Sequence, residues 1–198
     1  LDAIAILVVF SFLTLVALPA LASNRTTAAG ITCVGNLGNL TRAWQLYATD
    51  NSGKLANNFG IADTMGTVSA QTYLNWTHNI MDWTTNPSNT NRAWMAASKL
   101  YPHLENPNNP FKCPADRFIS ASQSQAGWFG GRLRNYSMNG FMGPNSRSSS
   151  DITYQGQNFL AANYRQFILS CSIPNPQSTI VLLDEHPANL EVCLAAAE

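Results

Sequence analysis

Residues 3–22, AIAILVVFSFLTLVALPALA, run for twenty positions without a charged side chain. No other feature limits the folding of this chain so strongly. As a helix at about 1.5 Å per residue, such a run matches the ~30 Å hydrocarbon core of a bilayer. One carboxylate, Asp2, stands ahead of it, and the first cation is Arg25. A secretory leader would place a basic region before the apolar run. A plain anchor would place Lys or Arg on its cytoplasmic flank. The chain opens on Leu rather than Met, so the expectation is a processed or truncated start. Asp2 itself is informative. A carboxylate costs about 2.5–3.5 kcal/mol at a bilayer centre, but at a helix tip it faces the positive end of the dipole. It gains a use when a cation of a neighbouring copy reaches it in a low-dielectric setting. The expected assembly residues are therefore Asp2, the apolar Ile4, Leu7, Phe10 and Leu15, and Pro19, which removes a backbone donor and weakens the helix.

Beyond Ala22 the pattern becomes amphipathic. Ile31, Val34, Leu37, Leu40, Trp44, Leu46 and Tyr47 recur at three-to-four spacing, which predicts one buried helical face. The helix is expected to reach about Ala48 and stop at TDNSGK, a turn-forming stretch. Three segments follow from this: 1–24 as a hydrophobic assembly or transmembrane helix, 25–50 as its amphipathic continuation, and 51–198 as a globular head. In the head, NTNRAWMAASKLYPHL (89–104) has an Asn cap and the apolar spacing of a short helix. Strands are expected near 133–142 and 178–184, the second β-branched and apolar through Thr179–Leu183. The stretch 144–151 is loop-forming by composition. Helix first and antiparallel strands later is an α+β order.

Charge is sparse and balanced, 11 basic against 11 acidic residues. That excludes a phosphate-neutralising face of the kind nucleic-acid binding requires, and weak colloidal repulsion favours self-association. The four cysteines, Cys33, Cys113, Cys171 and Cys193, contain no CxxC and have no His at zinc-finger spacing. An even number in an exported chain points to two disulfides with three connectivities open. Cys33–Cys113 with Cys171–Cys193 is preferred, the first tying the helix to the head and the second stapling the C-terminal end. Four free buried thiols is the alternative.

The DEHP stretch (184–187) concentrates Asp184, Glu185 and His186 at the end of the second strand. An acid/base dyad or a cation site is the sharp reading. Only His78 and His103 remain to complete a ligand set, and no G-x-S-x-G nucleophile elbow occurs. The expectation is a turn whose side chains bond backbone or Arg groups, and no enzyme. Asp116 is expected to pair with an Arg or cap a turn; Asp116, Asp184 and Glu185 are the weak metal candidates. Trp76, Trp83, Trp94 and Trp128 read as core filling ahead of a sugar platform. Asn-x-Ser/Thr matches at Asn24, Asn39, Asn75 and Asn135 are those expected by chance in so Asn- and Thr-rich a chain.

Several stretches carry a resemblance. Asp2 precedes Pro19 by seventeen positions, inside VALPALA. CVGNLGNLTRAWQLYATDNSGKLANN follows, then NWTHNIMDWTTNPSNTN (75–91), FKCPADRF (111–118), NYSMNGFMG (135–143) and IPNPQSTIVLLDEHP (173–187). In this order they resemble type IV pilin-like proteins, the pilins and the pseudopilins of type II secretion, and within them a bacterial subgroup with Cys-Pro-Ala-Asp and Asp-Glu-His-Pro motifs. The family acid is usually Glu, preceded by a methylated aromatic; here it is Asp at position 2. The end, ANLEVCLAAAE, also departs from the subgroup. The resemblance implies a pilin-like α+β fold, a long N-terminal helix with an apolar first half packed on a small antiparallel sheet with loop-rich insertions. It implies an extracellular filament subunit at the cell surface, inserted in the inner membrane before assembly. Its partners would be copies of itself, the assembly machinery and a prepilin peptidase, and loop calcium occurs among relatives. A minor pseudopilin is the alternative within the family. A membrane-anchored glycan-binding module is the alternative outside it.

Overall fold

The computed structural model describes residues 28–72, 74–105, 110–146 and 165–185. Asp2, Ile4, Leu7, Phe10, Leu15, Pro19, His186 and Cys193 lie outside the described residues, as does the whole 1–24 segment.

Residues 28–50 form helix α1. Asn51–Gly53 end it: Gly53 N–H reaches back to Ala48 O at 2.7 Å, and Ser52 (φ 57°) and Gly53 (φ 81°) take left-handed backbone that no helix continues. The remaining elements are short. Helix α2 spans Ile61–Ser69, α3 Arg92–Ala96 and α4 Ala121–Gln125. Single 3-10 turns occupy Pro87–Asn89, Tyr101–His103, Ser170–Ser172 and Pro176–Ser178. Strands β1 (Tyr136–Met138) and β2 (Leu182–Asp184) pair antiparallel, with Tyr136 opposite Asp184 and Met138 opposite Leu182.

The core forms where α1 meets this loop-rich layer. Cys33, Leu40, Ala43, Trp44 and Ala48 are buried on α1, with Leu37 and Tyr47 packed beside them. They face Leu100, Phe111, Leu133, Tyr136, Met138, Met142 and Leu182. Cys33 and Cys113 are joined by a disulfide, with Cα atoms 4.6 Å apart. Two hydrogen bonds flank that link: Asn36 Nδ2 to Lys112 O (2.8 Å) and Tyr136 Oη to Cys33 O (3.1 Å). The far half of the helix is held by Arg42 pairing with Glu105 and by His103 edge-on to Tyr47.

The expected pilin-like architecture is not what the described residues form. Among them no helix is long and apolar enough to cross a membrane; α1 is amphipathic, and it packs on irregular backbone rather than on a sheet broad enough to form a layer. The sheet has two strands of three residues each. Pro, Gly, Asn and Ser at close intervals remove ladder donors and favour turns, so pairing fails to spread beyond Met138 and Leu182.

Two local expectations are also corrected. The 89–104 helix is only Arg92–Ala96, followed by a separate 3-10 turn at Tyr101–His103 that carries Pro102 in its first positions. The buried face of α1 keeps Leu37, Leu40, Trp44 and Tyr47 of the expected stripe but not its other three members. Ile31, Val34 and Leu46 are exposed (69, 71 and 42%), and Cys33, Ala43 and Ala48 are inside instead.

Candidate functional site

The two acidic motifs, with Asp116 and Asp184 68 positions apart in the chain, meet in space. Asp116 and Arg117 of the 113–118 turn, Asn135 at the start of β1, and Asp184 and Glu185 at the end of β2 line one cavity of about 630 Å³.

Asn135 is the joint between these walls. Its side chain donates to Asp184 Oδ1 (2.6 Å) and accepts from Cys113 N (2.7 Å). Its backbone N–H bonds Phe111 O (3.1 Å), and its carbonyl accepts from Glu185 N (2.8 Å). Asn135 is 1% exposed, and its four contacts hold the disulfide turn against the sheet. The 113–118 turn closes on itself through Asp116, which accepts from Phe118 N at 3.1 Å. The other Asp116 oxygen faces Arg132 Nη2 at 3.4 Å.

Two buried arginines, Arg132 and Arg134, precede β1. Arg132 lies over the Trp83 ring at 3.8 Å, and Trp83 in turn meets Phe118 edge-on at 4.7 Å. Burial lowers the Arg132 pKa, and the Asp116 carboxylate opposes that shift. Arg134 donates from Nε to Asn79 Oδ1 (2.7 Å), from Nη1 to Tyr136 O (2.7 Å) and from Nη2 to Asn79 O (3.2 Å). Burial pushes its pKa down to about 10, with the Glu185 carboxylate acting against the shift. Lys112 is likewise lowered, first by burial, with Asp116 opposing and Arg132 adding to it. Burial raises Tyr136, and the Asp184 carboxylate raises it further.

The acids named as weak metal candidates are thus brought together, yet they do not fit a calcium ion. Calcium takes six to eight oxygens, whereas Asp116 gives its two oxygens to Arg132 and Phe118 N–H, and Asp184 gives one to Asn135. Cys33, Cys113 and Asp184 offer ligand atoms within 4.8 Å of one another, but the two sulfurs are bonded together. In this geometry Asp116 and Asp184 hold the frame. Cys171 is exposed and has no sulfur partner among the described residues. Of the tryptophans, Trp76 is buried at 3% exposure and packs on Phe111, while Trp83, Trp94 and Trp128 are half-buried. Asn75 and Asn135 are buried, which removes both sequons from the surface of the folded chain. Asn75 bonds Phe59 N and Thr64 Oγ1 instead.

Asn79, Arg132 and Arg134 went unnoticed in sequence. The available signal is the pair of arginines around Leu133, two of only 11 basic residues, leading straight into a strand that packs on the core.

Comparison with protein-family models, with curated proteins and with solved structures finds no match to this chain.

Proposed function

We propose that the protein is a structural subunit of a surface filament of the type IV pilus kind, assembled through its apolar N-terminal stretch. One observation carries the reading. Ile31 and Val34 are about 70% exposed on α1, in a chain whose residues 3–22 carry no charge. Among the described residues nothing covers them, because the Cys33–Cys113 link turns the opposite face of the helix inward. Exposed apolar side chains in a chain that also carries a long apolar segment favour burial against further copies, at about 25 cal/mol per Å² taken out of water. The disulfide supports an oxidising compartment, in keeping with export to the cell surface. Asp2 would set axial register by pairing with a cation of the next copy.

Electron microscopy of material sheared from expressing cells, with mass spectrometry of any fibre, tests this. Fibres containing the chain are expected. Asp2→Ala should leave membrane insertion intact and abolish or misregister the fibres. A chain that stays monomeric in detergent and never enters a fibre overturns the proposal, and regular fibres from Asp2→Ala overturn the register role.

A further inference from the structure

Cys33 Sγ, Cys113 Sγ and a carboxylate oxygen of Asp184 all lie within 4.8 Å of one another. They come from three separate parts of the chain: α1, the 113–118 turn and the end of β2. In the oxidised chain the two sulfurs are spent on the bridge. Opening that bridge leaves two thiols and a carboxylate at one spot, held there by contacts that do not involve sulfur. Asn36 Nδ2 donates to Lys112 O (2.8 Å), and Tyr136 Oη donates to Cys33 O (3.1 Å). Asn135 places the other two groups together. Its carboxamide accepts from Cys113 N–H (2.7 Å) and donates to Asp184 Oδ1 (2.6 Å).

Two thiolates and one carboxylate form a ligand set for a thiophilic divalent cation. Zinc takes Cys sulfur at about 2.3 Å and carboxylate oxygen at about 2.0–2.2 Å in a tetrahedron, which sets neighbouring ligand atoms about 3.3–3.8 Å apart. The observed spread is within reach of side-chain rotation once the sulfurs part. Asn135 supplies the outer hydrogen bond that orients a metal-bound carboxylate. Cys113 and Asp184 both line the cavity of about 630 Å³, which leaves an approach for the ion and room for water as a fourth ligand. Calcium and magnesium are disfavoured, since they need oxygen donors and this set holds one carboxylate.

We propose that the Cys33–Cys113 bridge and a zinc site are alternative states of the same side chains. With the bridge open, Cys33, Cys113 and Asp184 bind one zinc ion; with the bridge closed they bind none. Opening consumes a dithiol reductant. Two electrons and two protons pass to the sulfurs, and the reductant closes to its own disulfide. Zinc then binds both thiolates, and the two thiol protons leave to solvent. The ion replaces the bridge as the tie between α1 and the head. A chain made in a reducing compartment and finished in an oxidising one meets both conditions in turn. The site is independent of filament assembly, and either reading survives failure of the other.

The test uses the full chain in detergent, carrying Cys171→Ser and Cys193→Ser so that only the two thiols in question report. It is reduced with dithiothreitol, freed of reductant and metal by desalting without air, and titrated with zinc against a chromogenic chelator. One equivalent of zinc is expected per reduced chain and none per oxidised chain. Cobalt in place of zinc should show a sulfur-to-metal charge-transfer band in the near ultraviolet. Asp184→Asn keeps the acceptor for Asn135 and removes the charge, and should weaken zinc about tenfold or more. Zinc should raise the melting temperature of the reduced chain, or restore its fold where reduction has removed it, and do neither for Cys33→Ser. Substoichiometric zinc in the reduced chain overturns the proposal. So does equal affinity in Asp184→Asn, an unchanged melting temperature, one zinc per oxidised chain, or calcium bound as tightly as zinc.

Discussion

Asn135 donates a 2.6 Å hydrogen bond to Asp184, and the same side chain accepts from the backbone of Cys113 at 2.7 Å. One buried carboxamide therefore joins the disulfide turn to the last described strand. Asn135→Ala leaves the Cys113 N–H buried without a partner, at a cost of about 2–3 kcal/mol. Asn135→Asp should do more damage, since it replaces the donor with a second carboxylate facing Asp184. Urea unfolding of the two variants checks both the size and the order.

The Cys33–Cys113 bridge spans a sequence separation of 80. Closing so long a loop removes about 4.5 kcal/mol of unfolded-state entropy on the chain-entropy estimate. The double variant Cys33→Ser, Cys113→Ser should lose stability of that order, and reductant should lower the wild-type unfolding midpoint while leaving the variant's unchanged. Equal midpoints for the oxidised wild type and the variant would refute a stabilising bridge.

Gly143 combines a left-handed backbone (φ 79°) with close approach: a Cβ there would lie 2.0 Å from Ala56 O. Backbone cannot swing aside as a side-chain tip can. Gly143→Ala is expected to cost about 3 kcal/mol or more, or to prevent folding. Gly130→Ala is the control, having nothing within 4 Å of the added carbon, and should stay within about 0.5 kcal/mol of wild type. Thermal melts of the pair decide it.

His78 is fully buried, and burial lowers its pKa below the usual value. The folded state keeps the ring neutral at pH values where the unfolded chain takes up a proton. Its contribution is therefore complete above about pH 6.5 and is lost as pH falls from there toward the folded pKa, by up to about 1.4 kcal/mol per pH unit. Urea midpoints at about pH 7.5 and pH 5 should fall more steeply for wild type than for His78→Gln. Parallel slopes would remove His78 from the acid response.

What could be read in the chain was local. TDNSGK does end α1, because a left-handed Ser52–Gly53 pair is encoded in adjacent residues. Asn91 does cap a helix, accepting from Trp94 N at 3.2 Å. Asp116 does pair with an arginine and close a turn, although its partner is Arg132 rather than the adjacent Arg117. Each of these depends on neighbours a few positions away, or on a charge that needs a counter-charge somewhere.

Which edge of the α1 face is buried was not local. Hydrophobic spacing allows Ile31, Val34 and Leu46 to join Leu37, Leu40, Trp44 and Tyr47 as readily as it allows Cys33, Ala43 and Ala48 to do so, since both sets recur at helical period. The second is buried because Cys113, 80 residues on, and Tyr136, farther still, bond Cys33 directly and fix the rotation, with Asn135 holding the Cys113 turn. The same long-range closure brings Asp116, Asp184 and Glu185 to one cavity. The order of residues by itself determined where the helix stops, which turns form and that an uncharged run precedes them. Tertiary structure alone decided which helical face is spent on the core and which acids meet, because those outcomes rest on contacts between residues whose sequence separation erases any periodic signal.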